Sequence, residues 1–216
     1  MSPLWGFDEF ACLSQALLAL SADVVVDFTI ADATIFAART TIGHGVCFIS
    51  GTSGLSTKQV VEIDTLAKQK GIGAVIASNF ALGAVLMIHF AATAARYLDY
   101  AEIIETHHEK KVDAPSGTAI DTAKKMMTSR DRPFKNPYSE KKKSRGQQVD
   151  GTTIHSLRLP GVIARQEVIF GDIGQTLSIK HDSINRRSFM PGVMLAVKQV
   201  HNHRGVVLGL DKLLEL

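Results

Sequence analysis

Three short apolar runs, evenly spaced within the first eighty residues, constrain the fold of this chain most. They are DVVVDFT, VCFIS and GAVIAS, and each is long enough for one buried strand. Helical patterns over Ala31 to Ile42 and over Thr57 to Lys70 separate them, and a further helical pattern, FACLSQALLALS, precedes them. A strand–helix–strand–helix–strand order predicts a parallel sheet with right-handed crossovers.

The pattern changes after residue 80. A long apolar helix, ALGAVLMIHFAATAARYL, precedes the strand YAEIIET, and another helix covers Pro115 to Met127. Three more strands are predicted in TTIHSLRL, QEVIFGD and QTLSIKHDS, with hairpin-like connections through PGVIAR and IGQ, before a last helix, FMPGVMLAVKQVHNH. We therefore expect a parallel α/β domain in residues 1–80, an α+β domain with a mixed sheet in 81–189, and a C-terminal segment, 190–216, that returns to the first domain.

The composition is that of a soluble globular protein and excludes several other classes. Apolar residues make up 45% of the chain and charged residues 21%, and no apolar run approaches the ~18 residues of a membrane span. The N-terminus lacks the basic start of a signal peptide. Cys12 and Cys47 have neither metal-ligand spacing nor the number that a disulfide framework needs. These features predict a cytoplasmic protein with reduced thiols, no metal site and no membrane partner.

The net charge of +3 is unevenly distributed, because Arg130 to Arg145 holds seven basic residues and two acidic ones. This segment has three interpretations: a solvated loop, a nucleic-acid-binding arm, or a positive rim that attracts an anionic small molecule. Phe134 and Tyr138 are its only aromatic residues, which is too few for a base-stacking platform. We expect no nucleic-acid partner.

Polar and glycine-rich turns follow the three predicted parallel strands. Gly51 and Gly54 allow a ligand to approach the backbone, Thr52 and Ser53 offer hydroxyl groups, and Asn79 follows the third strand. Such turns also have purely structural uses, so each is a weak signal alone. Because ligands bind at the carboxyl ends of the strands in open α/β sheets, three polar strand ends in succession favour a binding crevice.

The segment ETHHEKKVDAPSGTA carries the strongest chemical signal. His107 and His108 end a predicted strand, Lys110 and Lys111 follow, and a helix begins near Gly117. Imidazoles supply protons near neutral pH, an ammonium attracts anions, and a helix N-terminus binds carboxylates. The combination predicts a site for a small anionic substrate, carrying carboxylates, that must also gain a proton.

The longer segment EIIETHHEKKVDAPSGTA closely resembles the signature of the dihydrodipicolinate reductase family, bacterial enzymes of lysine and diaminopimelate synthesis. The resemblance extends to VVVDFT, GTSG and SNFALG on one side and to IHSLRLPG, EVIFGDIGQTLSIKHDS and RRSFMPGV on the other. It implies reduction of 4-hydroxy-tetrahydrodipicolinate by NADPH or NADH with loss of water, and a homotetramer built on the sheet of the second domain.

The resemblance also implies roles for individual residues. His107 would be the proton donor, and Lys111 would be a second acid or a carboxylate anchor. His108, Gly117 and Thr118 would bind the substrate. The implied cofactor-binding residues are Gly51, Thr52, Ser53, Ala77, Ser78, Asn79 and Phe80.

One block of the family pattern has no counterpart here. Family members begin with a strand, a turn of the type Gly-x-x-Gly-x-Met-Gly and a helix, which together hold the cofactor pyrophosphate. This sequence contains no Gly-x-Gly-x-x-Gly, and GHG and GIG precede strands rather than follow them. We therefore expect a truncated Rossmann-like sheet. Two hypotheses stay open: a working reductase with weak cofactor binding, or an impaired relative that binds a dicarboxylate or assembles with a partner chain.

Overall fold

The computed structural model describes residues 9–135 and 143–216, which form two compact units. One unit contains the described residues up to Phe80 together with Pro191–Leu216, and the other contains Ala81–Met190.

A parallel sheet forms the centre of the first unit. Its strands are β1 (Val24–Asp27), β2 (Cys47–Ser50), β3 (Gly73–Ile76) and β9 (Gly205–Leu208), which lie side by side in that order. The helices of this part are α1 (Glu9–Ala19), α2 (Ala31–Gly43), α3 (Thr57–Lys70) and α6 (Met190–Gln199), with short 3-10 turns at Val200–Asn202 and Leu210–Leu213. Because the strands are parallel, their carboxyl ends meet at one edge of the sheet.

Burial explains why the apolar runs of the first unit form strands. Every residue of β2 and β3 is buried, as expected for strands with both faces covered. The helix α3 begins with a capping box between Ser56 and Gln59 and ends at Gly71, which adopts the left-handed conformation with φ 67°. The buried core comprises Ile35, Ala38, Ile42, Phe48, Ile63, Ala67, Ala74 and Ile76.

The second unit contains a mixed sheet. Its elements are α4 (Leu82–Ala94), β4 (Tyr100–His107), α5 (Gly117–Thr128), β5 (Gln147–Val149), β6 (Thr152–Arg158), β7 (Ala164–Asp172) and β8 (Gln175–Ser183), with 3-10 turns at Lys143–Arg145 and Arg186–Phe189. The strand order is β5–β6–β4–β7–β8, in which β4 is parallel to β6 and antiparallel to β7. The predicted fold class, a parallel sheet with a separate mixed-sheet α+β part, is confirmed.

One predicted connection is wrong. The segment PGVIAR does not close a hairpin between β6 and β7, because β4 lies between these two strands. The chain must therefore pass the end of β4 before it reverses along the other edge of that strand. The second connection, through Ile173 and Gly174, does close the hairpin of β7 and β8, where Asp172 pairs with Gln175.

The two faces of the mixed sheet differ. One packs around the buried residues Ala91, Ala95, Ile103, Ala119, Ala123, Met126, Phe134, Ile154, Val168 and Phe170. The other face, called here the outer face, presents Glu102, Ile104 and His155, which line an open groove of about 370 Å³. Glu102 pairs with His155 at 2.7 Å and also with Arg145.

The described part of the basic segment is tied to the start of β4. Arg130, Arg132 and Lys135 all pair with the Asp99 carboxylate, at 2.9, 2.9 and 3.0 Å. The hydrogen bonds from Arg132 and then Lys135 lower the pKa of Asp99 to about 2. This part is therefore an ion-pair cluster rather than a free loop. The charges from residue 136 to 142 lie outside the described residues, and Arg145 near the end of the segment pairs with Glu102.

Within the ranges that the structure describes, no helix has the length and apolar character that crossing a membrane requires. In the same ranges, no three His, Cys, Asp or Glu side chains come together in a way that could hold a metal ion.

Candidate active site

The histidine motif lies where the ends of β4 and β6 meet the start of α5 in the second unit. β4 ends at His107, its neighbour β6 ends at Arg158, and these two residues are paired in register. The helix α5 begins after Ser116, whose Oγ accepts a hydrogen bond from the backbone N–H of Ala119 at 3.2 Å. His108 is the first residue beyond the strand, so the two imidazoles are not forced onto opposite faces.

Glu105 is a carboxylate without solvent exposure, and its two oxygens are engaged by four neighbouring nitrogens. Arg158 donates from Nη1 to Oε2 and from Nη2 to Oε1, both at 3.0 Å, and the backbone N–H of Ser116 donates to Oε1 at 3.2 Å. His107 Nδ1 lies 2.5 Å from Oε2. Burial by itself raises the pKa of Glu105, but the hydrogen bonds from His107, Arg158 and then Ser156 outweigh it and lower this pKa to about 2.

The state of Glu105 fixes the role of each nitrogen of His107. A carboxylate with so low a pKa is ionised near neutral pH and can only accept hydrogen bonds, so His107 Nδ1 carries a proton and donates it. This leaves Nε2 as the nitrogen that can hold or release a second proton. The side chain of His107 is 15% exposed, so part of the ring remains accessible to a ligand.

The loop after His107 carries the lysines. Lys111 Nζ lies 2.8 Å from Asp113 Oδ1, and this ammonium lowers the pKa of Asp113. Lys111 is largely buried, with 23% of its side chain exposed, whereas Asp113 is 60% exposed. Lys110 is exposed, and His108 is half-buried. A ligand carboxylate must therefore compete with Asp113 for the Lys111 ammonium.

The N-terminus of α5 has room for an anion. A Cβ added to Gly117 would meet no atom within 4 Å, so a ligand can approach this backbone closely. Thr118 is half-buried in the first turn. The first backbone N–H groups of a helix have no partners within it and carry a partial positive charge. This helix start is therefore suited to bind a carboxylate.

Sequence analysis assigned no role to Glu105 and missed Arg158 altogether. Its guanidinium donates to Glu105 and to the backbone oxygens of Lys111 at 3.2 Å, Leu157 at 2.7 Å and Asp113 at 2.6 Å. The segment HSLRLPG contains it, but a charged residue at a strand end most often faces solvent, and sequence alone does not show that β6 lies beside β4.

The strand ends of the first unit converge on Asp27, which is 5% exposed. Its carboxylate accepts hydrogen bonds from the hydroxyls of Thr29 and Thr34 at 2.6 Å, Ser50 at 3.0 Å and Thr52 at 3.1 Å. Burial raises the pKa of Asp27, but the bonds from Thr29, Thr34 and Ser50 together lower it below its ordinary value. The network joins the ends of β1 and β2 to the start of α2.

This network changes the expected role of one predicted cofactor residue. The Thr52 hydroxyl bonds to Asp27 and to the Thr29 carbonyl, and the Thr52 N–H donates to Ser50 Oγ at 3.1 Å. Thr52 therefore shapes the turn from within. Ser53 beside it is exposed.

The remaining predicted cofactor residues lie at the same edge of the parallel sheet. Ala77 and Phe80 are buried, Ser78 is exposed and Asn79 is half-buried. Phe28, which is 52% exposed, lies against Gly51, where an added Cβ would come within 2.1 Å of the ring, and its centroid is 5.5 Å from that of Phe80. Hydroxyl and amide groups beside an exposed aromatic surface suit a carboxamide-bearing ring such as nicotinamide.

Comparison with known proteins agrees with this geometry. Residues 7–80 match the family model for the N-terminus of dihydrodipicolinate reductase, and residues 83–214 match the model for its C-terminus. Curated relatives named 4-hydroxy-tetrahydrodipicolinate reductase include proteins from Dehalococcoides mccartyi, 49% identical over 95% of this chain and 79% of the relative, and from Legionella pneumophila, 50% identical over 94% of this chain and 84% of the relative.

A solved structure of dipicolinate-bound dihydrodipicolinate reductase from Paenisporosarcina sp. TG-14 has 39% sequence identity and a TM-score of 0.82, covering 93% of this chain and 77% of that one. Both parts of the chain match the same family, and the motif residues form one cluster in the structure. The chain belongs to the dihydrodipicolinate reductase family.

Proposed function

We propose that this chain reduces 4-hydroxy-tetrahydrodipicolinate to tetrahydrodipicolinate with a nicotinamide cofactor, in lysine and diaminopimelate biosynthesis. The observation that carries the proposal is the pair of Glu105 and His107 beside the open N-terminus of α5. Relatives that are named for this reaction match this chain over nearly its whole length.

The substrate is a dianion, and the second unit offers groups for both carboxylates. One carboxylate binds the backbone N–H groups of Gly117 and Thr118 at the start of α5. The other binds Lys111, which exchanges Asp113 for the substrate, and His108 completes the contact. The dipicolinate in the Paenisporosarcina structure is a dicarboxylate of the same kind.

The proton comes from His107. When bound, the reduced nicotinamide supplies a hydride to one ring carbon of the substrate, and water is lost. His107 Nε2 delivers a proton to the adjacent carbon, while Glu105 keeps its hydrogen bond to Nδ1 and stabilises the imidazolium before transfer. The alternative role that the family resemblance implies for Lys111 is that of a second acid.

The cofactor would be NADPH or NADH, held at its nicotinamide end by Gly51, Ser53 and the segment 77–80, while Thr52 fixes the turn from within. Among the described strands, none is followed by a turn of the type Gly-x-x-Gly-x-Met-Gly; β1, for example, is followed by Phe28 and Thr29. Each missing charge-assisted hydrogen bond costs ~1.5–3 kcal/mol. We therefore expect residues 1–216 to bind the dicarboxylate well and either cofactor weakly.

Titrations of the purified chain test this proposal. Calorimetry with pyridine-2,6-dicarboxylate should show binding, and Lys111→Ala should weaken it about tenfold because a charged hydrogen bond is lost. Lys110→Ala, at the exposed neighbouring position, is the matched control and should bind like the parent chain. No dicarboxylate binding, or equal losses in the two variants, would refute the site.

The same titrations separate the two hypotheses that the sequence leaves open. Cofactor fluorescence measured against protein concentration should show weak binding together with slow turnover if the chain is a working reductase. Dicarboxylate binding without any turnover at high cofactor concentration would identify the impaired relative. Micromolar affinity for either cofactor would contradict the expected weak binding.

The proposal also includes a homotetramer in the cytoplasm, assembled through the outer face of the mixed sheet. The outer face exposes 40% of Tyr100, which lines its open groove, and 40% of Leu157. A second copy is the occupant that the family resemblance implies. Light scattering should give the mass of four chains, and a monomer mass would contradict this assembly.

A further inference from the structure

We infer that Arg158 is a positioning residue of this site: it holds His107, through Glu105, and the Lys111 loop in one fixed arrangement without contacting the substrate. The inference rests on the proposed function, because it assigns Arg158 a purpose only if His107 gives up a proton.

The first observation is that every N–H of the guanidinium has an acceptor. Nε donates to the Lys111 carbonyl, Nη1 to Glu105 Oε2 and the Leu157 carbonyl, and Nη2 to Glu105 Oε1 and the Asp113 carbonyl. A guanidinium has five N–H groups, and all five are therefore engaged. None is left to bind a substrate carboxylate directly, although Arg158 is a cation within an anion-binding site.

The second observation is what these acceptors have in common. Glu105 orients the His107 ring through Nδ1, and the Lys111 and Asp113 carbonyls belong to the loop that carries the second cation. Ser116, which caps α5, donates its backbone N–H to the same Glu105 carboxylate. One side chain thus connects the proposed proton donor, the loop of the carboxylate anchor and the cap of the anion-binding helix.

The third observation is that lysine could not replace this arginine. The contacts to Glu105 are bidentate, with both distances at 3.0 Å, and the other donors point to three separate carbonyls. An ammonium has three donors and no planar fork, so it would leave Glu105 or the loop without a partner.

The first test uses the unmodified protein. In an NMR titration with pyridine-2,6-dicarboxylate, the His107 and Lys111 side-chain resonances should shift, and the Arg158 guanidinium resonances should stay in place. A large shift of the Arg158 resonances would show that Arg158 binds the ligand itself and would overturn the inference.

The second test uses variants and rates at a fixed cofactor concentration. Arg158→Lys should lower the rate about 10–100-fold, because small displacements of a catalytic group have effects of this size, and should change dicarboxylate affinity much less. In ¹⁵N-histidine spectra of this variant, the signal of the His107 tautomer protonated on Nδ1 should disappear or be accompanied by the signal of the other tautomer. Arg165→Lys is the matched control: Arg165 lies in β7 of the same sheet with 45% of its side chain exposed, and its variant should keep both the rate and the spectrum.

A double-mutant cycle distinguishes positioning from general structural support. In a His107→Gln background, Arg158→Lys should lower the rate by a clearly smaller factor than in the parent chain, because one of the two groups that it positions is gone. If Arg158→Lys lowers the rate by the same factor in both backgrounds, the inference fails while the proposed function stands. If His107→Gln alone leaves the rate unchanged, the assignment of the proton donor fails instead.

Discussion

Asp27 and Glu105 are both buried carboxylates near the ends of parallel strands, one in each unit, and both have a lowered pKa. Their partners differ in kind. Asp27 accepts hydrogen bonds from serine and threonine hydroxyls and from one backbone N–H. Glu105 accepts them from a guanidinium, an imidazole and one backbone N–H, with the Ser156 hydroxyl as a lesser partner.

The chemistry of these partners separates structure from catalysis. A hydroxyl can rotate and either donate or accept, but it does not give up its proton near neutral pH. An imidazole does exchange a proton in that range. The network around Asp27 can therefore fix a turn, whereas the network around Glu105 connects a buried charge to a proton that can leave. A lowered pKa alone does not identify the catalytic carboxylate, because both residues have one.

The largest expected difference between the two carboxylates is in stability. Glu105→Gln should lower the free energy of unfolding by about 3–5 kcal/mol, because Arg158 and the Ser116 N–H can only donate and one would face an amide NH₂. Urea denaturation measures this change. Glu102→Gln, in the exposed ion pairs of the outer face, is the control and should cost about 0–1 kcal/mol. Equal costs for the two variants would show that the burial of Glu105 is unimportant.

The ionisation of Glu105 should also be visible in the pH dependence of the free energy of unfolding. The folded pKa of Glu105 is about 2, below its ordinary value of 4.5. Its contribution to stability is therefore fully present above pH 4.5 and is lost as the pH falls from 4.5 through 2. Its size is on the order of 3 kcal/mol. Between about pH 5 and pH 2.5, the free energy of unfolding should therefore fall more steeply for the parent chain than for Glu105→Gln. Parallel curves would contradict the assigned pKa.

The smallest expected effect is that of the matching change in the first unit. Asp27→Asn should lower the free energy of unfolding by about 1 kcal/mol, because the hydroxyls of Thr29, Thr34 and Ser50 can rotate to accept from the new amide. Dicarboxylate affinity should stay unchanged, since the predicted site lies in the second unit. A loss as large as that of Glu105→Gln would remove the distinction between hydroxyl and cationic partners.

Local sequence patterns were sufficient to predict most helices and strands and the position of the histidine motif at a strand end. The strand pattern of YAEIIET and the turn before Gly117 placed His107 at a strand end and α5 directly after the loop, as the structure shows. The helix predicted over Thr57 to Lys70 also agrees with α3, because its capping residues lie next to it in sequence. Signals of this kind depend only on neighbouring residues.

The features that sequence did not predict depend on contacts between distant segments. Glu105 and Arg158 are 53 residues apart and meet because β6 pairs with β4, whereas the hairpin expected from PGVIAR would have paired β6 with β7. One local signal was available: residues two apart in a strand share a face, so Glu105 had to lie beside His107. The short strands β5 and β9 were missed because their few residues lack a distinct pattern.

The most direct measurement of the central claim compares two histidines of the same sheet. His107 pairs with buried Glu105, and His155 pairs with Glu102 on the outer face, at 2.5 and 2.7 Å. At a fixed cofactor concentration, His107→Gln should lower the reduction rate about 10²–10⁴-fold, with little change in dicarboxylate affinity, and His155→Gln should keep the rate of the parent chain. Equal losses in the two variants, or a His107→Gln variant that keeps the parent rate, would contradict the account.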